Sequence, residues 1–581
     1  MPQTSWPDLR IGESTGAAQH GTYDIARSSD SAIPLLLMFP VHNWWCGGYS
    51  GRAGGHATKG TAVPSIRIET EGTAEGIEGT SPDAPAFAFP QEVASALRGL
   101  LTALTGLVAV SWVSIAVYHA HDRFAVGWTQ GAWMGLAQSA RRGALYPPLY
   151  DGSHYGGTRF MPIAILLHAQ LARLTDDYLF SGKVLSYLSF GFLLVCTVAV
   201  LRSLRCPTYL GMALSAAVLA SGTGLFVASG IGADALPVAL QLCAVTVVVR
   251  SNRWPETVLA AALCVLAFFT KGSALWAPLA ISIWFLMKDR RRLLIFLPAF
   301  VGLSAATTGL FGLATHGRLF SNVVGLSFSG VSNAAFVLRP LALFPLLLAH
   351  ATPATALLPL AILGTILAAK TRELTIYHLS LGCALVIIAV VLMDVGVDFN
   401  HLLDLIVLVS IVVGVMASRA APPDRPPNAM GAVVLAVLSW ALLSSLVTTM
   451  FLASGGVFQM LNGTRSAALS SRPLAAYLHQ TDVILSEDPT IPIQLGQRPV
   501  VLDAFALFRI GEKHPSWIRD LTERIEAKEF SKVVLTRPLD ADDRSWYETI
   551  HFGPSIFDAL RRNYVQVVVA QEYYVFEPRP G

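Results

Sequence analysis

The sequence predicts an all-α polytopic membrane protein that carries a small soluble α/β domain at its C-terminal end. Three observations indicate this fold class. The 581-residue chain is 53% hydrophobic and only 14% charged, whereas soluble domains are about a quarter charged. Apolar runs of roughly 20 residues, the length that crosses a bilayer as a helix, recur between residues 98 and 453. From about residue 465 the charged fraction returns to the value of a soluble domain.

The apolar runs predict a transmembrane domain over residues 96–455 with about eleven helices. The predicted spans are 98–118, 179–201, 209–228, 235–250, 255–270, 273–287, 292–314, 353–369, 374–393, 401–417 and 430–453. The segment 124–142 is apolar on one side and 160–174 is short. Both predict helices at the membrane surface, with Trp128 and Trp133 at the level of the lipid headgroups.

The two ends of the chain differ from this membrane region. Residues 1–95 are rich in Gly, Ser, Thr and Ala without a sustained hydrophobic period, and we expect a disordered leader or an over-extended gene start. Residues 465–581 alternate between strand-like and helix-like patterns, which predicts a small α/β domain. The strand-like runs are 482–485, 532–535 and 565–569, and the helix-like stretches are 514–528 and 553–562.

Lysine and arginine residues follow every second span, and they predict the sidedness of the protein because positive charge near a span resists translocation. These residues are Arg202, Arg205, Arg250, Arg253, Lys288, Arg290, Arg291, Arg292, Lys370, Arg372, Arg419 and Arg425. With these junctions in the cytoplasm, the N-terminus is cytoplasmic. The loop 119–158 and the C-terminal domain then lie outside.

Isolated polar residues gather on the predicted outer face. Lys271 interrupts an apolar segment, and it is either a snorkelling lysine or a cation that holds a phosphate group at the membrane surface. Arg159 and Lys183 have the same two interpretations, and the three cations together favour an anionic ligand. Asp234 and the pair Asn400–His401 lie on the same face.

Asp122 lies just past the first span, in the outer loop. Its carboxylate is either a general base that accepts a proton from an acceptor hydroxyl or a solvated acid paired with Arg123. His119, His121 and Asp122 are metal-ligand types without a specific spacing, so a divalent-metal requirement stays open. The six cysteines have no CxxC spacing, so they do not indicate a metal or disulfide set. The net charge of +3 does not indicate nucleic-acid binding.

Several short motifs follow one another along the chain in an order that is more specific than any one of them. They are Gly143–Pro148, Tyr155–Pro162, Ser181–Ser186, Ala233–Pro237, Thr270–Leu275, Asn400–Asp404, Leu485–Pro489 and Gly496–Pro499. In this order the chain resembles the GT-C superfamily of membrane glycosyltransferases. Within it, the chain looks most like the bacterial family related to aminoarabinose transferases and protein O-mannosyltransferases. The resemblance covers roughly residues 97–581.

The resemblance implies transfer of a sugar from a polyprenyl-phosphate donor to a lipid or glycan acceptor on the outer face of a bacterial inner membrane. It also implies roles for the polar residues of the outer face. Donor-phosphate binding is implied for Arg159, Lys183 and Lys271, and a place in the substrate site for Tyr155, Asp234, Asn400 and His401.

The catalytic acid of this family lies in the first outer loop, where Asp122 matches its position. Many relatives carry a second acid next to or shortly after it, whereas Arg123 and Gly127 stand in that region here. This difference keeps Asp151 as an alternative base.

Two other classes of protein compete with the transferase. A secondary transporter also carries acids and bases at the ends of its spans, but the two halves of this chain show no evident repeat. A non-enzymatic membrane scaffold needs neither Asp122 nor Lys271.

Overall fold

The computed structural model describes residues 90–120, 128–327, 340–341, 351–394, 399–420, 427–461, 472–540, 544–570 and 573–580. The predicted leader up to residue 89, and Asp122 with its neighbours in 121–127, lie outside the described residues.

The membrane domain is built from α-helices that follow one another through short connections. They are α1 (Gln91–Ala120), α2 (Trp128–Arg141), α3 (Pro162–Thr175), α4 (Tyr178–Ser203), α5 (Thr208–Ala220), α6 (Gly222–Ser229), α7 (Ala235–Arg250), α8 (Trp254–Thr270), α9 (Trp276–Lys288), α10 (Arg290–Ala314), α11 (Thr352–Lys370), α12 (Ile376–Val391), α13 (Leu403–Ala420) and α14 (Ala429–Leu461). A π-helical turn, Phe320–Val324, continues into Gly325–Ser327, and a 3-10 turn, Phe399–Leu402, precedes α13.

Each predicted span coincides with one of these helices or, for 209–228, with the pair α5 and α6. Among the described residues, six helices are long and apolar enough to cross a membrane, or seven if the pair, bent by 71°, is one span. The other four, α7, α8, α9 and α12, have at most 17 residues. At 1.5 Å per residue they reach about 25 Å, less than the ~30 Å of a bilayer core. The all-α multi-pass architecture is confirmed, and the count of eleven spans stays a prediction.

Helix α13 lies at the centre of the membrane domain. Valine, leucine and isoleucine occur on all of its faces, as expected for a helix that contacts protein on every side. It packs against α5, α11 and α12, and 14 of its 18 residues are buried, most of them in the main hydrophobic core. The turn that leads into it therefore holds Asn400 and His401 in a defined position at one end of the bundle.

The C-terminal region forms a four-stranded sheet with short helices. Its helices are α15 (Arg472–Tyr477), α16 (Thr490–Gln494), α17 (Ala504–Lys513), α18 (Pro515–Glu526), α19 (Arg544–Thr549) and α20 (Pro554–Asn563). Its strands are β1 (Ile484–Ser486), β2 (Lys532–Leu535), β3 (Tyr564–Ala570) and β4 (Tyr573–Pro578), in the order β1-β2-β4-β3. Strands β1 and β2 are parallel, and the other neighbours are antiparallel.

Backbone pairing attaches this C-terminal domain to the membrane domain. The N–H of Tyr155 donates to the carbonyl of Val500 at 2.7 Å, and the N–H of Leu502 donates to the carbonyl of Tyr155 at 2.9 Å. A single residue of the outer loop thus pairs with a segment more than 300 positions further along the chain. The two regions are one packed unit at this point.

Helix α2 is enclosed between α3, α4 and the C-terminal domain. Trp133 is 8% exposed and stacks on Phe160, with ring centroids 4.2 Å apart. A helix forms where one was predicted, and Trp133 is covered by protein, while its position at the level of the lipid headgroups stays a prediction. The C-terminal domain covers this helix, and Leu502 belongs to the same hydrophobic cluster as Trp133.

Candidate functional site

Lys271 and Asp234 meet at one end of the membrane domain. The Nζ atom of Lys271 donates to Oδ1 of Asp234 at 2.5 Å, and Nδ2 of Asn400 donates to the same oxygen at 2.9 Å. Lys271 follows the last residue of α8 and Asp234 precedes the first residue of α7. Each charge therefore stands where the helix dipole favours it, a cation at a C-terminus and an anion at an N-terminus.

A second ion pair joins Arg159 to Asp394. Arg159 ends the extended outer loop before α3, and Asp394 follows α12. The guanidinium of Arg159 also lies over the ring of Phe505, with Cζ 4.8 Å from the centroid, which is a cation–π distance. One side chain thus links the outer loop, the membrane helices and the C-terminal domain.

His401 lies within electrostatic range of Lys271, Asp234 and Arg159. One turn later, Asp404 accepts a hydrogen bond from the indole Nε1 of Trp276 at 2.6 Å. We call the group of Arg159, Asp234, Lys271, Asp394, Asn400, His401 and Asp404 the polar cluster. Its members are half-buried, so most of their surface is shielded from water.

The polar cluster contains both cations and carboxylates. Its two cations lie at an end of the helical bundle, and each is oriented by a carboxylate. Arginine has five N–H donors, and Asp394 engages its Nη1 atom. Among the described residues, no group of three or more His, Cys, Asp or Glu side chains is arranged to hold a metal ion.

Lys183 lies near the cluster but in a more enclosed position. It is 4% exposed and stands in the second turn of α4. Ser186, one turn further on the same helix face, accepts a hydrogen bond from the N–H of Gly232 at 3.4 Å. This contact brings the start of α4 beside the loop that carries Asp234. None of the described contacts joins Lys183 directly to Arg159 or Lys271.

Asp151 lies in a different place, at a cavity of about 230 Å³ that Arg142, His154 and Arg498 also line. Its carboxylate pairs with Arg498 at 2.7 Å and accepts a hydrogen bond from the N–H of His154 at 2.8 Å. Partial burial raises the pKa of Asp151, but these backbone and arginine contacts outweigh it and lower the pKa to about 2. Asp151 is therefore held as an anion and is a weak base.

Tyr155 is buried between the outer loop and the C-terminal domain. Its hydroxyl donates to the carbonyl of Trp517 at 2.8 Å and lies 3.1 Å from a carboxylate oxygen of Asp520. These are contacts within the protein, and they hold the loop against the domain.

Sequence reasoning missed the contribution of the C-terminal domain to this site. Asp503 accepts hydrogen bonds from the N–H groups of Phe505 and Ala506, so it caps α17, and its charge interacts with that of Arg159. Burial raises the pKa of Asp503. An aspartate before a helical run is a recognisable cap signal, but nothing local indicates that the capped helix faces a membrane-domain arginine.

The bundle, the outer loop packed on a C-terminal α/β domain, and the polar cluster between them define a class of protein: a multi-pass integral membrane protein with a GT-C-like fold. Two solved structures show this likeness. ArnT from Cupriavidus metallidurans bound to undecaprenyl phosphate matches with a TM-score of 0.52 at 14% identity, over 81% of this chain and 97% of that chain. The apo state of ArnT from Cupriavidus metallidurans matches with a TM-score of 0.53 at 13% identity, over 81% of this chain and 96% of that one.

A third solved structure is less similar. An oligosaccharyltransferase from Archaeoglobus fulgidus, solved with Zn and sulfate, matches at 10% identity with a TM-score of 0.41, over 79% of this chain and 71% of that chain. No family model matches the sequence, and no curated protein does. The likeness to ArnT confirms the fold that the motif order predicted.

Proposed function

We propose that the chain is a membrane glycosyltransferase that moves a sugar from a polyprenyl-phosphate donor to an acceptor on the outer face of the membrane. The observation that carries this proposal is the polar cluster, which offers Arg159 and Lys271 at one end of a GT-C-like bundle. Undecaprenyl phosphate occupies one of the similar ArnT structures. A lipid phosphate is the anion that two headgroup-level cations fit.

In the proposed reaction, an acceptor hydroxyl oxygen forms a bond to the anomeric carbon of the donor sugar. The bond between that carbon and the phosphate oxygen breaks, and its electron pair leaves with the polyprenyl phosphate. Arg159 and Lys271 stabilise the charge that develops on the leaving phosphate. The hydroxyl proton passes to a carboxylate that acts as general base.

We assign that base to Asp122 rather than to Asp151. A general base works best when its pKa lies near the operating pH. Asp151 is paired with Arg498, and its pKa of about 2 makes it a poor proton acceptor. Asp122 occupies the position that the family resemblance indicates, in the segment that leads directly into the enclosed helix α2.

The test uses membranes that contain the full chain and a panel of polyprenyl-phosphate sugars, with release of polyprenyl phosphate as the readout. We expect Asp122→Asn to abolish release while expression and membrane insertion stay normal. The matched variant Asp151→Asn is expected to retain release. Release of polyprenyl phosphate at the normal rate from Asp122→Asn membranes would contradict the base assignment. If the unaltered chain released it from no donor, the proposed function itself would be contradicted.

The proposed reaction requires the polar cluster to face the outside, with the N-terminus in the cytoplasm. A reporter enzyme that works only outside the cytoplasm should be active when fused to the C-terminus. It should be inactive when fused after Asp289, in the basic junction between α9 and α10. The opposite pattern would place the cluster in the cytoplasm and exclude an outer-face acceptor.

A further inference from the structure

A second, basic cavity lies at the end of the membrane domain opposite the polar cluster. Helix α4 carries Lys183 near its first residue and Arg202 near its last, 19 positions later. At 1.5 Å per residue the two side chains start about 28 Å apart along the helix, close to the thickness of a bilayer core. The cavity beside Arg202 has a volume of about 500 Å³, within the ~300–1,000 Å³ range of small-ligand sites.

Three arginines from separate parts of the chain line this cavity: Arg98 from α1, Arg202 from the last turn of α4, and Arg205 from the connection to α5. Arg98 lies over the ring of Tyr209, with Cζ 5.8 Å from the centroid. Within the described part of the chain, no ion pair includes Arg202 or Arg205. The cavity therefore concentrates positive charge.

Arg205 ends α4 in a backbone conformation that a side chain disfavours. Its φ is +59°, in the left-handed region, where it ends α4: its N–H donates to the carbonyl of Arg202, and the next N–H donates to that of Leu201. Glycine is the usual residue at this position because a side chain is unfavourable there. Glycine would adopt this turn at a lower cost in conformational free energy. Arginine instead adds a guanidinium group to the cavity.

The start of α5 adds a further attraction for an anion. This 13-residue helix begins at Thr208, which lines the cavity together with Pro207. The positive end of the helix dipole thus points toward the same space as the arginines. Tyr209 combines an apolar ring with a polar tip, a composition that is typical of the headgroup level of a membrane.

We propose that this cavity binds the phosphate of an anionic phospholipid on the face predicted to be cytoplasmic. Arginine matches phosphate oxygens with paired N–H donors, and basic pockets between membrane helices on that face bind anionic headgroups. A lipid is favoured over a soluble phosphate because the cavity lies where α1 and α4, both long enough to span, reach the membrane surface. This site does not depend on the proposed sugar transfer.

The experiment is native mass spectrometry of the full chain in neutral detergent, titrated with phosphatidylglycerol or phosphatidylcholine. We expect tight binding of phosphatidylglycerol, weakened about tenfold in Arg202→Gln/Arg205→Gln, because each lost arginine removes charge-assisted hydrogen bonds. The matched control is Arg250→Gln/Arg253→Gln, which removes the same charge from another basic junction of the same face. It should bind phosphatidylglycerol like the unaltered chain.

A second variant separates binding from folding. Arg205→Gly removes the guanidinium but suits the left-handed backbone, so the thermal midpoint should hold or rise while phosphatidylglycerol binding weakens. Equal weakening in the cavity variants and in the control would mean a general surface charge and would overturn the site. Equal binding of phosphatidylcholine and phosphatidylglycerol would also overturn the site. Displacement of the lipid by inorganic phosphate or glycerol phosphate at similar concentration would identify a soluble ligand instead and overturn the lipid assignment.

Discussion

Lys271 and Asp234 form an ion pair although 37 positions and two helices separate them, and Asn400, from a third part of the chain, donates to the same carboxylate. The side chains of the pair are only 17% and 13% exposed. A pair at this depth is weakly screened by salt, and removal of one partner leaves the other without compensation.

The first prediction follows from this pair. We expect Lys271→Met to raise the KM for a polyprenyl-phosphate donor about tenfold or more, because a charge-assisted hydrogen bond to the phosphate is lost. The same variant should unfold at a lower temperature, since Asp234 loses its cation. The measurement is donor-dependent release of polyprenyl phosphate together with a thermal melt.

Two control variants test whether the effects of Lys271→Met are specific to this lysine and to its pairing with Asp234. Lys370→Met removes a lysine from the end of another apolar helix, α11, and should change neither quantity. The double variant Lys271→Met/Asp234→Asn should recover thermal stability without recovering the low KM. Recovery of both would mean that Lys271 serves only to neutralise Asp234.

The second prediction concerns Gly131 in α2, which lies against the C-terminal domain. A Cβ atom at this position would stand 2.5 Å from Oδ1 of Asp488 and 2.6 Å from the backbone nitrogen of Thr490. Alanine is the better helix former, yet we expect Gly131→Ala to destabilise the protein by about 1–3 kcal/mol, because the two surfaces must separate.

Gly191 in α4 is the matched control, because a Cβ atom there meets nothing within 4 Å. Gly191→Ala should leave the thermal midpoint unchanged or raise it. We also expect Gly131→Ala to lower transferase activity at saturating donor, since α2 follows the segment that carries Asp122. A stable and fully active Gly131→Ala variant would show that the C-terminal domain does not position the outer loop.

The third prediction is a pH dependence that arises from Asp488. This carboxyl is 1% exposed, and burial raises its pKa to about 6 against the opposing hydrogen bonds from Tyr573 and Thr490. The folded protein therefore holds this proton more tightly than the unfolded chain, in which an aspartate titrates near 3.9. The resulting stabilisation is complete below about pH 4 and is lost as the pH rises through about 6.

We expect Asp488→Asn to reduce the loss of thermal stability between about pH 4 and pH 6 in melts of the full chain. Asp151→Asn is the comparison. The pKa of Asp151 is lowered to about 2, so its stabilisation changes only in more acid solution. An identical pH slope in Asp488→Asn and the unaltered chain would contradict the assignment.

The fourth prediction tests whether Tyr155 acts on substrate or on the loop. Tyr155→Phe keeps the backbone pairing with Val500 but removes the hydroxyl that donates to Trp517. We expect a loss of about 1–3 kcal/mol in the free energy of unfolding, because a buried acceptor loses its donor, with the donor KM unchanged. A raised KM without a stability change would place this hydroxyl in the substrate site instead.

Much of the fold was predictable because hydropathy and helix length are local properties. Each predicted span coincides with a helix or a bent pair, and the three predicted strands of the C-terminal domain all form. Strand β4, Tyr573–Pro578, was missed although its first four residues are of types that favour strands. The burial of Trp133 by the C-terminal domain was not predicted, because sequence spacing cannot reveal which helix a distant domain will cover.

Part of the candidate site was also predictable from the sequence, and part was not. The sequence by itself marked Lys271, Asp234 and Arg159, because a charge beside an apolar run stands out against its neighbours. It also placed them on one face, through the basic residues of the opposite junctions. Only the tertiary structure decided the pairing: Lys271 with Asp234, and Arg159 with Asp394 and Phe505. Such partners meet only after the helices and the C-terminal domain have packed, and packing depends on the shapes of whole surfaces rather than on local composition.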